Sequence, residues 1–365
     1  MQMTLVNLRQ RAARSLAGIG VAALATAAVL VGGLPARAQE TIKLTVAAGH
    51  PPIFLWVKHL KESMMATVDA ELAKTNKYKI AWTEAYGGTL AKIGSELETM
   101  QQGISDLGIV ATVFQSSKLP LNNVTYFVPY GPTDANTLVA AIAKVQALPE
   151  LQAEWNKFNV MYLGAFVIDN YGLATSFPIA KMDDLKGRKI GGAGPNLAWL
   201  KNTGAVGVQG SLNTFYNDVK TGVYEGVVAF ITSATPAKLF EVAPNFTVAN
   251  MGAMYAGAVA FNKQRWGKLP EEVKAAFRKG AETYEKAYIA EQTARIAAAT
   301  EAWKKGGGKI NQLPADEQSK LVKAIPNPTA DWIKQAGPSA KTVLSAYMNA
   351  VRATGFKFPR DFDKE

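Results

Sequence analysis

Residues 184–226 read DLKGRKIGGAGPNLAWLKNTGAVGVQGSLNTFYNDVKTGVYEG. A charged turn, Asp184-Leu185-Lys186-Gly187, leads into a short apolar strand, and Gly191-Gly192-Ala193-Gly194-Pro195-Asn196 then opens a helix. A second strand follows, and a later helix stops at Thr221-Gly222 before another apolar run. Strands alternating with helices in this way predict α/β layers with mostly parallel sheets. The closing phrase also occurs upstream. Glu98 to Val110 runs helix end, Gly103, two residues, Asp106, apolar strand; Tyr216 to Val228 repeats that order through Gly222 and Glu225, 119 residues later. Glycine suits a left-handed helix stop, and the apolar run after it suits a buried strand. The repetition predicts two similar lobes; coincidence is the alternative, because the phrase is generic for a helix-to-strand link.

Working outward, residues 42–48 read as a first strand ending in Gly49-His50-Pro51-Pro52, and residues 54–74 as a helix. Residues 78–84 are β-rich and run into Tyr86-Gly87-Gly88-Thr89; residues 93–102 are a helix and 106–112 a strand. One helical pattern runs from Pro270 to Lys305, closed by Gly306-Gly307-Gly308. At 1.5 Å per residue it is roughly 50 Å long, more than one lobe needs. Two helical segments follow, 315–324 and 328–354. With no low-complexity linker, interleaved lobes are expected: 41–168 plus 252–292, and 169–251 plus 293–365.

The N-terminus sets the compartment. Arg9, Arg11 and Arg14 precede an apolar run from Ala17 to Leu34 that ends in Ala36-Arg37-Ala38. Basic, apolar, then small-x-small is the order of a secretory signal, with cleavage after Ala38 and no stable membrane insertion afterwards. An uncleaved anchor is the alternative, since the run almost reaches bilayer length. Removing 38 of 365 residues leaves 327, enough for two lobes without disulfide staples. The chain has no cysteine, which excludes thiol catalysis, thiolate metal sites and lipid attachment through cysteine. The mature charge is +7, from 36 basic and 29 acidic residues. Lys and Arg lie beside Glu and Asp along the helices without a basic block, so the surplus reads as solvated surface with mild attraction for anions, not as a nucleic-acid face.

Catalytic constellations are absent: no G-x-S-x-G, no H-E-x-x-H, no Ser-x-x-Lys set. The turn after Ile190 lacks the G-x-G-x-x-G order because Leu197 occupies the third glycine's place, so no dinucleotide or other cofactor is expected. Its amides at a helix start still predict an anion site through Gly191 and Asn196. Two histidines are too few for an imidazole metal site. His59, between Lys58 and Lys61, reads as a surface residue. His50 stands at the carboxyl end of the first strand, where open α/β sheets place ligands, as either a ligand contact or a cap. The aromatics Tyr86, Phe114, Tyr171, Trp199, Phe215, Tyr216 and Phe230 fall at or near strand–loop junctions in both halves. Each is core or ligand wall; together they suit a cleft that covers a ring or an apolar tail.

Read in order, these marks resemble the extracytoplasmic solute-binding proteins of TRAP transporters over essentially the whole mature chain. They are Gly87-Gly88-Thr89-Leu90, Met100 through Gly103 to Gly108, Asp184 to Gly187, Thr203-Gly204-Ala205, Tyr216 through Gly222 to Gly226, and the long helix. The resemblance implies a two-lobed periplasmic binding protein fold with a long helix spanning both lobes. It implies a non-enzymatic receptor that closes on a small organic anion and delivers it to TRAP membrane permease subunits. An ABC-type receptor or a secreted hydrolase are the alternatives. Two positions depart from the pattern. Gly191 stands where the family places a carboxylate-clamping arginine, and a second arginine used in part of the family falls on Tyr171. Arg188 lies in the turn and is expected to face solvent. Without a bidentate guanidinium, the expected ligand is a carboxylate with an apolar or aromatic body. Gly87, Gly88, Gly191 and Asn196 would supply polar or backbone contacts, with Asn170 and Tyr216 beside them. Tyr86, Phe114, Tyr171, Trp199, Phe215 and Phe230 would form walls, and His50 a switchable donor.

Overall fold

Eleven strands in a computed structural model that describes residues 39–365 fall into two sheets. In chain order they are β1 (Glu40–Ala47), β2 (Tyr78–Ala85), β3 (Leu107–Val110), β4 (Val160–Ile168), β5 (Tyr171–Thr175) and β6 (Lys189–Gly192). β7 (Val206–Gln209), β8 (Gly226–Phe230), β9 (Asn245–Val248), β10 (Met254–Asn262) and β11 (Lys309–Gln312) complete the set. The signal segment expected at the N-terminus lies outside the described residues. Among those described, no helix is long and apolar enough to cross a membrane.

The first sheet has the order β2-β1-β3-β10-β4 and the second β7-β6-β8-β5-β9-β11. Taken strand by strand, the two match through five positions, in sense as well as order. β1 is parallel to β2 and β3, as β6 is to β7 and β8. β10 is antiparallel to β3 and β4, as β5 is to β8 and β9. The sheets are mixed but mostly parallel: each carries one strand that arrives from the other lobe and runs against its neighbours. The repeated phrase occupies equivalent places. Gly103 (φ 71°) and Gly222 (φ 78°) both take the left-handed helix stop, which costs a Cβ-bearing residue about 1–2 kcal/mol. The acid that follows each glycine ties its strand to the parallel neighbour. Asp106 accepts the Thr45 N–H at 2.8 Å, and Glu225 accepts the Lys189 N–H at 3.4 Å.

The chain crosses between sheets at 169–170 and again at 249–253, and the two crossings are laced together. Tyr171 N–H donates to Gly252 O (3.0 Å), Met251 N–H to Tyr171 O (3.3 Å), and Gly252 N–H to Asn170 Oδ1 (3.0 Å). Asn170 Nδ2 donates to Asn250 Oδ1 at 3.1 Å. The third connection is the helix Glu271–Lys305. Its first half packs on residues 55–73 and β4, where Tyr284 Oη donates to Trp56 O at 2.9 Å. Its second half belongs to the other sheet's surroundings: Thr235 Oγ1 donates to Ala299 O at 3.1 Å and Trp303 Nε1 to Pro244 O at 3.1 Å. One helix thus spans both lobes. The C-terminal segment is two helices, Pro328–Ala336 and Ser339–Arg352, and not one, because Gly337 (φ 82°) and Pro338 interrupt it. Ser339–Arg352 packs on Ala135–Gln146, beside the first sheet.

His59 is buried, contrary to its reading as a surface residue. Residues 60–65 of the first helix widen into a π turn against the long helix. There His59 Nε2 lies 2.8 Å from Glu291 Oε2, and Nδ1 lies 2.7 Å from Ser63 Oγ.

Candidate functional site

A cavity lies where the carboxyl ends of strands from both sheets meet. After β1 the chain turns through Gly49-His50, and this turn is held from outside by Gly87 N–H to His50 O (3.1 Å) and Gly88 N–H to Ala48 O (3.3 Å). The first lobe contributes His50, Trp56, Phe114 and Phe166, with Ala111 and Val113 after β3. The second contributes Tyr171, Phe230, Leu212 and Phe215, with Ala193 after β6. Tyr126 closes the floor. About 40 Å³ is open to the centres of water-sized molecules, about three times what one water needs. No Lys, Arg, Asp or Glu is among the lining residues.

The walls are aromatic and rigidly nested. Trp56 stacks between Phe54 (4.9 Å, 6°) and Phe166 (5.5 Å, 16°), and His50 meets its edge at 5.3 Å and 85°. On the other side Tyr171 packs edge-on against Phe230 (5.2 Å) and Trp199 (5.3 Å). Tyr126 and Tyr171 bring their hydroxyls within 3.4 Å of each other.

Electrostatically the site is neutral. Burial pushes the His50 imidazole down to about 4, so it is uncharged at neutral pH, and its Nδ1 has no hydrogen-bond partner. His50 is therefore not a charge switch near neutrality, as the sequence had suggested. Beside it, Glu96 is buried with one oxygen accepting Gly94 N–H at 2.7 Å and the other, Oε1, unpartnered. Burial raises that carboxyl to about 8.

Of the residues singled out in the sequence, His50, Phe114, Tyr171, Phe215 and Phe230 line the cavity. Gly87 and Gly88 support the His50 turn from behind, and Tyr86 Oη sits 3.7 Å from Met65 Sδ. Asn170 belongs to the crossing strands. Trp199 is fully buried behind the wall, donating to Tyr126 O at 2.8 Å and stacked on that ring. Tyr216 points outward and donates to Glu241 at 2.6 Å. Asn196 is fully buried beside the Tyr171 hydroxyl, with neither carboxamide atom in a hydrogen bond of normal length.

Gly191 is not in the wall. A Cβ there would meet the Tyr224 ring at 2.7 Å, so the room for a side chain at 191 is filled by Tyr224, whose hydroxyl donates to Asp218 at 2.7 Å. The turn after it is a short 3-10 segment, Gly194–Leu200, whose first N–H is already given to Gln209 Oε1 at 3.2 Å. The amide-lined anion site expected there is thus not assembled. Arg188 is exposed, paired with Glu225 at 2.6 Å and lying over Phe177.

Trp56, Tyr126 and Phe166 escaped the sequence reading. Phe166 sits in an apolar strand like any core residue, and Tyr126 in a four-residue helix with no period to read. Trp56 did carry a signal: it follows the His50-Pro51-Pro52 turn within one helical turn of its start.

No group of three or more His, Cys, Asp or Glu that could hold a metal ion occurs among the described residues. Comparison with solved structures gives the same fold. The pyroglutamate-binding receptor DctP6 of Bordetella pertussis matches with TM-score 0.75 at 20% identity, covering 84% of this chain and all of that one. The ectoine-binding protein of a TRAP transporter from Halomonas elongata matches at 0.75 and 17%, over 86% and 100%. A TRAP solute-binding protein from Sulfitobacter sp. NAS-14.1, solved with β-D-galacturonate, matches at 0.72 and 18%, over 84% and 99%. Residues 58–335 match the model of the DctP family, and the chain belongs to these bacterial extracellular solute-binding proteins, family 7.

Proposed function

We propose that the mature protein is the periplasmic receptor of a TRAP transporter, binding a small organic acid with an apolar or aromatic body between its lobes and handing it to the membrane permease. The observation that carries this reading is the cavity itself: two lobes, aromatic walls and no lining cation. Aromatic surface rewards an apolar body, whereas a second carboxylate buried there would go without a countercharge. Receptors of like fold bind pyroglutamate, ectoine and a uronate. For the lobes we assign 41–168 with 252–292 to the first and 169–251 with 293–327 to the second. Helices 328–352 are counted with the first, on which they pack. Export through the 38-residue signal places the receptor outside the inner membrane.

The test is native mass spectrometry of the purified protein for co-purified solute, followed by thermal-shift screening. Benzoate, isovalerate or pyroglutamate should raise the melting temperature. Stabilisation by succinate or malate with none from any monocarboxylate would sink the proposal.

A further inference from the structure

We infer that an acceptor oxygen of the solute is received by the indole N–H of Trp56 together with the His50 imidazole, uncharged donors serving where a guanidinium is missing. This deepens the receptor reading above and rests on it.

Trp56 Nε1 is buried without a partner, and an indole nitrogen can only donate. A buried donor left unmatched is costly, so such a group on a residue that lines the cavity marks where a complementary atom belongs. The indole cannot swing away to find one elsewhere. Phe54 and Phe166 cover its two faces, and its backbone carbonyl is held by Tyr284 of the long helix at 2.9 Å. The same two rings decide the kind of solute group. A cation would need an open aromatic face, and Trp56 has none; only its edge remains. His50 stands at that ring from the β1 turn, with Nδ1 likewise buried and unpartnered. In the Nδ1–H tautomer the pair offers two neutral donors from one wall. Tyr126 and Tyr171 pair their hydroxyls at 3.4 Å, which leaves a single O–H free to donate on that side of the cavity. Two neutral donors therefore stand together on the first lobe, and a single carboxylate or lactam oxygen fits them where two separated carboxylates do not.

The experiment uses uniformly 15N-labelled mature protein titrated with benzoate, isovalerate and pyroglutamate, with binding measured by calorimetry. One of the seven indole resonances, identified by its loss in Trp56→Phe, should move downfield on addition of the acid that binds. Trp56→Phe should weaken that acid about tenfold or more, as expected for a hydrogen bond to a charged group. Binding with every indole resonance unmoved and Trp56→Phe affinity unchanged overturns the donor assignment and leaves the receptor reading standing. Failure of the wild-type protein to bind any of the three acids overturns both. Should Trp56→Phe not fold, a crystal structure with the bound acid decides: an oxygen at hydrogen-bond distance from Nε1 supports the assignment, and its absence there overturns it.

Discussion

The crossing strands and the cavity wall lie next to each other and treat polar groups in opposite ways. At the crossing, Asp169 accepts from the Thr232 hydroxyl, from Thr232 N–H (3.4 Å) and from Gln292 Nε2 (3.5 Å). Asn170 is satisfied at both ends of its amide. Gln292 Oε1 is left over, as is the Tyr130 hydroxyl beside Met251. Around the cavity, by contrast, His50 Nδ1, Trp56 Nε1, Thr112 Oγ1 and both polar atoms of Asn196 go without partners. A satisfied buried network stabilises and fixes geometry; unsatisfied groups destabilise the protein alone and favour whatever completes them. The difference separates the polar groups of the crossing from those in and behind the cavity wall, although both sets are buried.

Removing a partnered group should therefore cost most. Asp169→Ala strands the Thr232 hydroxyl and amide, and a loss of about 3 kcal/mol is expected in urea denaturation at pH 7. A loss below about 1 kcal/mol would put Asp169 with the cavity groups and break the comparison. Gly191→Ala should cost about 1–3 kcal/mol by overpacking against Tyr224, and adding Tyr224→Ala should make the two changes strongly non-additive.

Glu96 gives a pH-dependent version of the same contrast. Its folded-state carboxyl keeps its proton to about pH 8, while the unfolded chain releases it near the ordinary glutamate value of 4.5. Between those values the folded state binds more protons, so this group's contribution to stability falls as pH rises and levels off above about pH 8. Glu96→Gln should melt close to wild type at pH 5 and several degrees higher at pH 8.5. Equal melting at both values would refute a buried, protonated Glu96. The smallest effect is expected from Asn196→Leu, which removes two unpartnered atoms from a buried site of similar volume. Its stability should lie within about 1 kcal/mol of wild type, on the stabilising side. A clear loss would mean that the Asn196 carboxamide is bonded after all.

Much of the fold could be read from local chemistry. The long helix is legible from Pro270 to Gly306, and the two glycine stops with their following acids mark equivalent strands in both sheets. What could not be read is direction. β5 and β10 look like any apolar run, and nothing local says that each arrives from the other lobe and runs antiparallel. The same holds at the site. His50 and Phe114 declare themselves by following strands β1 and β3, whereas Phe166 owes its place to pairing between β4 and β10. Gly191 was legible as an exception but not in its consequence, because the ring that fills its space comes from Tyr224, 33 residues along the chain.

That ring also decides what side chain residue 191 can carry. With Tyr224 seated against the Cα of residue 191, an arginine does not fit there by one replacement. The first step alone collides with the ring, and the other order, shrinking Tyr224 first, opens a hole in the second lobe's core and releases Asp218. A guanidinium at 191 therefore calls for a paired change with Tyr224, which ties that position to the second lobe's core and not to the cavity wall.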